Sequence, residues 1–517
     1  MCPYSNEIIF SFLPYFDILR NQSRHSSIYM GIFSGYLETW RARYRQFRSA
    51  REEALFGDDI INTVTRNIPI TNIPDAARMR SKWGRFLHKL SRQEGVEVSD
   101  GNKVELLVGG PETVESMLSA INSAQERVWI ETYIFDGSEH VARRFVDVLL
   151  RAKSRHCDVV VIMDYIGSIS FPWRKELEAS GIPVVLFNPF PWSHYVDESA
   201  ELPIPKAVGP VPFRDHRKIL IADNVGYCGS MNLQGEVSLE PNSNPSSSPG
   251  FFDLSARLEG PCVAHLANVF RDSLEESKVG ILRGPIPIPA KAGSTYVQVL
   301  QSNIRKQRRS IQKVLASQIK NASNDVRVAS SYFMPPGFLK RALLSTTTKD
   351  TTILVSGTTD FSPIPGDLWA QTHALSRFVN RPRTSVSLYS KSHMHAKFTT
   401  VDSLFVCLGS YNFDRFSSRR NLESAIGVFD RDIATQAARI HEELCRQSTQ
   451  QSGLVSNPLA RFLHWLAYFV MKTSGRNVFD GFDGIEGSSY SKEERERRNS
   501  VLRFGRAEIV AASFPIF

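Results

Sequence analysis

The sequence lacks any run of about 18 to 20 apolar residues, the length a membrane-crossing helix requires. Its nearest approaches are Ile8 to Leu19, broken by Pro14 and Asp17, and Phe462 to Met471, set between Arg461 and Lys472. The second reads as a buried C-terminal helix, with an interfacial helix as the alternative. Cysteine is sparse: six in 517 residues (Cys2, Cys157, Cys228, Cys262, Cys407 and Cys445), with no CxxC pair. That excludes a disulfide framework and a zinc site of ordinary spacing, and leaves small buried thiols in a reducing compartment. A large excess of one charge is also missing. The 62 Lys+Arg stand against 53 Asp+Glu, a net charge of +9, and 42% of residues are hydrophobic. A collagen-like, miniprotein or wholly disordered chain is thereby excluded. The small basic excess suits an acidic partner without choosing among nucleic acid, anionic lipid and phosphorylated metabolites. Lysine is absent from residues 1–51, which hold seven arginines, seven serines and only three acids, Glu7, Asp17 and Glu38. Such a stretch looks like an organellar transit segment, which predicts mitochondrial import.

At about 150 residues per domain the length allows roughly three domains. From Lys103 the chain alternates strand and helix. Lys103–Val108 reads as a strand, and Pro111 sits at the first position of a helix with Val114, Met117, Leu118 and Ile121 on one stripe. Strands follow at Val128–Phe135, Val159–Asp164 and Pro183–Phe187, with helices between, including Val141–Ala152. This is the signature of an α/β layer fold. A similar order returns with a helix at Ile311–Lys320, a strand at Val326–Phe333, a helix at Phe338–Leu344 and a strand at Thr352–Ser356. Aligning Val128–Tyr133 with Arg327–Tyr332 gives an offset near 199, so the chain reads as an internal duplication. The expected organisation is an N-terminal arm over 1–100, one lobe over 101–283, a second over 290–446 and an amphipathic tail over 447–517. Gly284–Pro289 reads as a stiff connector and residues 237–250 as a low-complexity insertion.

Each half carries the same chemistry-bearing pattern. His216-Arg217-Lys218, four residues, Asp223, five residues and Gly229-Ser230-Met231-Asn232 match His395-Ala396-Lys397, four residues, Asp402, six residues and Gly409-Ser410-Tyr411-Asn412. On a strand, residues i and i+2 share a face, so each His converges with its Lys, and Ser and Asn on the next strand can face the same spot. An imidazole, an ammonium, a hydroxyl and an amide suit the oxygens of a phosphate. Two facing halves put histidines on opposite sides of one phosphorus, one to attack and one to protonate the departing oxygen. The lysines supply the positive charge the transition state needs, so no metal or other cofactor is called for. His393-x-His395 could be a metal pair, but Lys397 on the same face would repel a divalent ion.

These residues resemble the phospholipase D superfamily, whose HKD motif both copies match, and within it the bacterial-type cardiolipin synthases. The likeness extends through Trp129–Phe135, Asp253–Pro261, Ser331–Pro336 and Gly409–Glu423. It implies an α/β fold of two similar lobes, each a mixed sheet flanked by helices, with the active site at their pseudo-two-fold interface. The implied catalytic set is His216, Lys218, Asp223, His395, Lys397, Asp402 and Glu423, with Ser230, Asn232, Ser410 and Asn412 binding the substrate phosphate. His216 would be the nucleophile and His395 the general acid/base, or the reverse. Glu423 looks like the carboxylate that orients an imidazole, and Asp253 is its counterpart in the first half. Asp223 and Asp402 read as turn-capping acids more than as chemical groups. The first motif has one residue fewer before Gly229, which bears on whether Ser230 and Asn232 keep register. The implied partners are phosphatidylglycerol and a membrane surface rather than nucleic acid. The implied reaction is cardiolipin synthesis, with phosphatidylglycerophosphate synthase, a phospholipase D hydrolase or a nuclease as alternatives.

Overall fold

The computed structural model describes residues 96–474 apart from 97, 190–212, 239–249, 278, 280–285, 307, 359–365, 452 and 454. The arginine-rich segment 1–51, the aromatic stretch from Phe190, the body of the serine-rich insertion, the start of the proline connector and the chain beyond 474 lie outside the described residues.

The first half runs β1 (Val98–Val108), α1 (Gly110–Ser123), β2 (Arg127–Thr132), α2 (Ala142–Ser154), β3 (Asp158–Asp164), α3 (Arg174–Ala179) and β4 (Val184–Phe187). It continues through β5 (Ile219–Ala222), β6 (Val225–Gly229), β7 (Phe251–Phe252), β8 (Leu254–Glu259) and α4 (Cys262–Ser277). The second half repeats the plan: β9 (Thr295–Asn303), β10 (Arg308–Arg309), α5 (Ser310–Asn321), β11 (Asp325–Ser330), α6 (Gly337–Ser345), β12 (Asp350–Ser356), α7 (Gly366–Leu375) and β13 (Thr384–Tyr389). Then come β14 (His393–Met394), β15 (Phe398–Val401), β16 (Phe405–Gly409), α8 (Arg415–Arg419), β17 (Glu423–Phe429), α9 (Arg431–Arg446), β18 (Thr449–Gln450) and α10 (Pro458–Ser474).

Both halves contribute to one mixed sheet. The first supplies the order β1-β8-β6-β5-β2-β3-β4 and the second β9-β17-β16-β15-β11-β12-β13, and β1 pairs antiparallel with β9 where they meet. The parallel neighbours β2-β3-β4 and β11-β12-β13 need helical crossovers, whereas β5-β6 and β15-β16 are hairpins. Helices cover both faces. Val128 and Ile130 of β2 pack into the layer holding α1 and α2, and Val326 and Val328 of β11 into that holding α5 and α6. Trp129 points to the other face, where it stacks on Phe270 of α4 at 5.1 Å. That face carries a core shared by the two halves, with Ala437 and Leu444 of α9 in it.

The register corrects the sequence alignment by one residue. Val128 lies opposite Ala222 and Val326 opposite Val401, each just before the motif aspartate, so the strands correspond at an offset of 198. A slip of one would put Val328 on the face of Trp129. The shorter first motif is absorbed at its turn. Ala222 pairs with Val225 across two residues, and Val401 with Phe405 across three. Beyond the turns the register is common to both, with the Ser230 amide donating to Leu254 O (3.1 Å) and the Ser410 amide to Ser424 O (2.9 Å).

The C-terminal helix is not buried. Phe462, Trp465 and Phe469 of α10 are exposed, and no helix of the described residues is long and apolar enough to cross a membrane.

Candidate active site

The two HxK segments are extended but lie just ahead of the strands, β5 starting at Ile219 and β15 at Phe398. What holds them is the opposite half. The His216 amide donates to Leu422 O (3.0 Å), and the Leu422 amide to Arg214 O (2.9 Å). In mirror image, β14 pairs in parallel with β7, and the His395 amide donates to Phe252 O (2.8 Å). Each motif is therefore tied to the segment that carries the other half's carboxylate.

The side chains follow that crossing. His216 Nδ1 lies 2.9 Å from Glu423 Oε2, and His395 Nδ1 lies 2.8 Å from Asp253 Oδ1. A carboxylate on Nδ1 fixes the proton there and leaves Nε2 with its lone pair free for chemistry. Both carboxylates are fully buried. Burial alone would raise Asp253, but the adjoining His395 ring and Lys397 outweigh it and hold the carboxyl at about 2. Glu423 is lowered in the same way, burial being outweighed by His216, Lys218 and Ser410. Burial, with Lys397 second, pushes His395 down to about 3 against the pull of Asp253. Burial lowers His216 too, against Glu423. Both shifts favour the neutral imidazole.

Lys218 Nζ donates to His216 O (2.7 Å), and Lys397 makes the same bond to His395 O. Burial pushes Lys218 down to about 7, and Lys397 adds to it. Two buried ammonium groups that feel each other make a cradle for an anion. Among the described residues, Asn232 Oδ1 and Asn412 Oδ1 are buried without a partner at matching positions. Each amide, turned about, offers an N–H group to a phosphate oxygen.

The structure gives the serines a different partner from the one expected. Ser230 Oγ donates to Asp253 Oδ1 (2.6 Å) and Ser410 Oγ to Glu423 Oε2, so each hydroxyl is spent on orienting a carboxylate rather than on a phosphate. The preceding glycine makes this possible. A Cβ on Gly229 would sit 2.7 Å from Ser255 Cα, and one on Gly409 2.5 Å from Ala425 Cα. Only glycine lets β6 and β16 approach β8 and β17 this closely.

Asp223 and Asp402, placed by the resemblance in the catalytic set, are not part of the site. Asp223 accepts from the amides of Gln125, Glu126 and Arg127 at 2.8, 2.9 and 2.8 Å, and Asp402 from those of Ser323, Asn324 and Asp325. Each closes the loop from a helix into β2 or β11, from a left-handed backbone (φ 51° and 55°) that aspartate tolerates. Asp223→Ala is expected to cost about 1–3 kcal/mol of stability. At temperatures where the variant stays folded, kcat should remain near wild type. Thermal unfolding and kinetics check this, and a large kcat loss in folded protein would return Asp223 to the catalytic set.

Sequence reasoning missed other neighbours. The Tyr133 ring meets His216 edge-on at 5.0 Å and lies under Lys218 Nζ at 5.3 Å. Phe251 packs on His395 at 5.4 Å. Arg217 points away from the site, fully buried, toward Gln301 Oε1 (3.0 Å) and Glu131 Oε1 (3.7 Å). Both ring nitrogens of His393 lie at hydrogen-bond distance from hydroxyls, Ser331 Oγ (3.0 Å) and Ser356 Oγ (3.3 Å).

The family profile described as cardiolipin synthase, PLD-like domain, matches residues 117–242 and 315–445, one stretch per half. The chain belongs to the phospholipase D superfamily. Probable cardiolipin synthase YwiE of Bacillus subtilis is 25% identical over 395 residues, 74% of this chain and 73% of that one. Major cardiolipin synthase ClsA of the same organism is 24% identical over 356 residues, 67% and 69% of the two chains. Cardiolipin synthase A of Erwinia tasmaniensis is 23% identical over 386 residues, 72% and 75%. Among solved structures, phosphatidylserine synthase from Haemophilus influenzae aligns with a TM-score of 0.52 at 14% identity, covering 72% of this chain and 94% of that one. That likeness speaks for the fold alone. The family profile and the relatives make this a phospholipid-modifying member of the superfamily.

Proposed function

We propose that the protein is a phosphatidyltransferase that joins two phosphatidylglycerols into cardiolipin and releases glycerol. The observation that carries the reading is the crossed symmetry of the site: two His–carboxylate pairs with fully buried carboxylates, each pair built from both halves, around two lysines and two asparagines.

His216 Nε2 attacks the phosphodiester phosphorus, and the bond to the glycerol oxygen breaks. His395 gives that oxygen its proton, leaving a phosphatidyl-histidine and free glycerol. His395 then takes the proton from the headgroup hydroxyl of a second phosphatidylglycerol, whose oxygen attacks phosphorus and displaces His216. Proton and bond counts close over the cycle. The phosphodiester's negative charge, set beside Lys218 and Lys397, opposes the lowering of the imidazole pKa and lets His395 hold the proton it delivers. Asn232 and Asn412 bind the non-bridging oxygens. Water must be kept from the intermediate, because hydrolysis gives phosphatidic acid instead. The same reading places the protein at the mitochondrial inner membrane, on the arginine- and serine-rich, acid-poor composition of residues 1–51.

Purified full-length protein given labelled phosphatidylglycerol should produce cardiolipin and an equal amount of free glycerol. Phosphatidic acid alone would make it a hydrolase. Turnover only with a CDP-activated lipid and glycerol phosphate would make it a phosphatidylglycerophosphate synthase. Plasmid cleavage without lipid turnover would make it a nuclease.

A further inference from the structure

Ten large hydrophobic side chains are exposed among the described residues, and seven of them lie on α10. The helix docks by one stripe. Ala467, Tyr468 and Met471 pack on Met334 and on Ala370 and Ala374 of α7, and His464 stacks on Trp369. The opposite side would ordinarily be polar. Here it carries Leu459 (66% exposed), Phe462 (53%), Trp465 (45%), Leu466, Phe469 and Val470 (55%). Phe462, Trp465 and Phe469 form a ladder with centroids 5.8 and 5.7 Å apart. A helix apolar on every side is ordinarily buried or in lipid, and a soluble surface does not leave a patch of this kind uncovered.

We propose that this face of α10 is the surface by which the protein lies on an anionic phospholipid bilayer, with the helix in the plane of the interface. Three observations select a bilayer as the occupant. At 17 residues the helix is about 25 Å long, short of the ~30 Å hydrocarbon core, so it lies flat rather than crosses. Its charge is of one sign: from Pro458 to Ser474 there is no acid, while Arg461 and Lys472 stand near its two ends and Arg415 bonds the Lys472 carbonyl at 3.2 Å. Basic groups beside an aromatic and aliphatic face match an interface of headgroups over acyl chains. Third, α10 is fastened to the active-site loop. The Met334 amide, whose side chain receives the helix, donates to Phe413 O at 2.8 Å; Phe413 follows Asn412 directly, and Arg415 comes two residues later. A bilayer on α10 therefore lies beside the segment that offers Asn412 to the phosphate. The inference rests on the phospholipid reading only for this last step.

Sedimentation of full-length protein with vesicles tests it without turnover, so the transferase assignment can fail while docking stands. Wild type should bind phosphatidylglycerol/phosphatidylcholine vesicles. F462S/W465S/F469S should bind at least about tenfold more weakly while keeping its thermal unfolding temperature and its cleavage of a soluble short-chain phosphodiester. R461E/K472E should lose roughly tenfold on anionic vesicles and little on neutral ones. Wild type that stays in solution, as it would if another segment of the chain covered the face, overturns the proposal. So does a triple variant that binds vesicles like wild type, or one that only turns a dimer into a monomer.

Discussion

His216→Ala and His395→Ala are each expected to lower phosphatidylglycerol turnover by at least about 10⁴-fold, the two losses being far from additive. One variant lacks the atom that bonds to phosphorus and the other the proton donor. Neither residue can replace the other, because each Nε2 belongs to a ring fixed from behind by a different carboxylate. The pair can be told apart with a phosphodiester whose leaving group is a nitrophenolate, which departs without a proton. The variant missing only the acid should then release about one equivalent of nitrophenolate in a burst and stall as phosphatidyl-histidine. The variant missing the nucleophile should show none. A burst in His395→Ala and silence in His216→Ala supports the order proposed here, and the converse reverses it. Substantial turnover of phosphatidylglycerol by either would end the two-histidine mechanism.

Much of this architecture is legible in the sequence because it is written twice. Alternation of strand and helix from Lys103 onward is a local property of hydrophobic periodicity, and elements such as α1 and β3 lie within a residue or so of where that periodicity puts them, their partners in the sheet being supplied by the crossover rule. The duplication then makes each half a check on the other. The one-residue error in aligning β2 with β11 arose from matching Tyr133 to Tyr332, which are not equivalent: the offset of 198 persists past the strands, where Phe135 bridges Leu233 and Phe333 bridges Phe413. Only the hydrogen-bond register, with Val128 and Val326 both placed against the residue before the motif aspartate, removes it.

The site was legible in composition but not in connectivity. His216, His395, the lysines and the asparagines are named by spacing alone. Which carboxylate serves which histidine depends on β14 lying against β7 and Leu422 against Asp215, contacts between segments some 140 and 207 residues apart. No local pattern encodes them. The same is true of the serines: spacing puts a hydroxyl near the phosphate but does not say that a buried carboxylate 13 or 23 residues away claims it first. For α10 the sequence shows an apolar segment between two basic residues. It does not show that the docking stripe is satisfied by α7 and Met334 while the remaining faces are left outside.

That crossing makes the second large prediction. Glu423→Gln should lower kcat by roughly 10²–10⁴-fold with a much smaller change in KM, and Asp253→Asn should do likewise. An amide in place of the carboxylate turns an N–H toward Nδ1, favours the wrong tautomer and removes the charge that would stabilise an imidazolium. Neither carboxylate bonds substrate, so binding should survive. Because Glu423 acts on the histidine of the other half, Glu423→Gln should change the ¹⁵N shifts and tautomer of His216 while leaving His395 as it is. Asp253→Asn should change His395 and leave His216. A mere loss of packing would move both rings together and would lower the unfolding temperature in proportion. Restoring the charge with Glu423→Asp should recover part of kcat, since the shorter side chain keeps the anion but must reach further to Nδ1. If Glu423→Gln perturbs His395 instead, the halves do not complete each other's site, and each lobe would be expected to retain a His–carboxylate pair of its own.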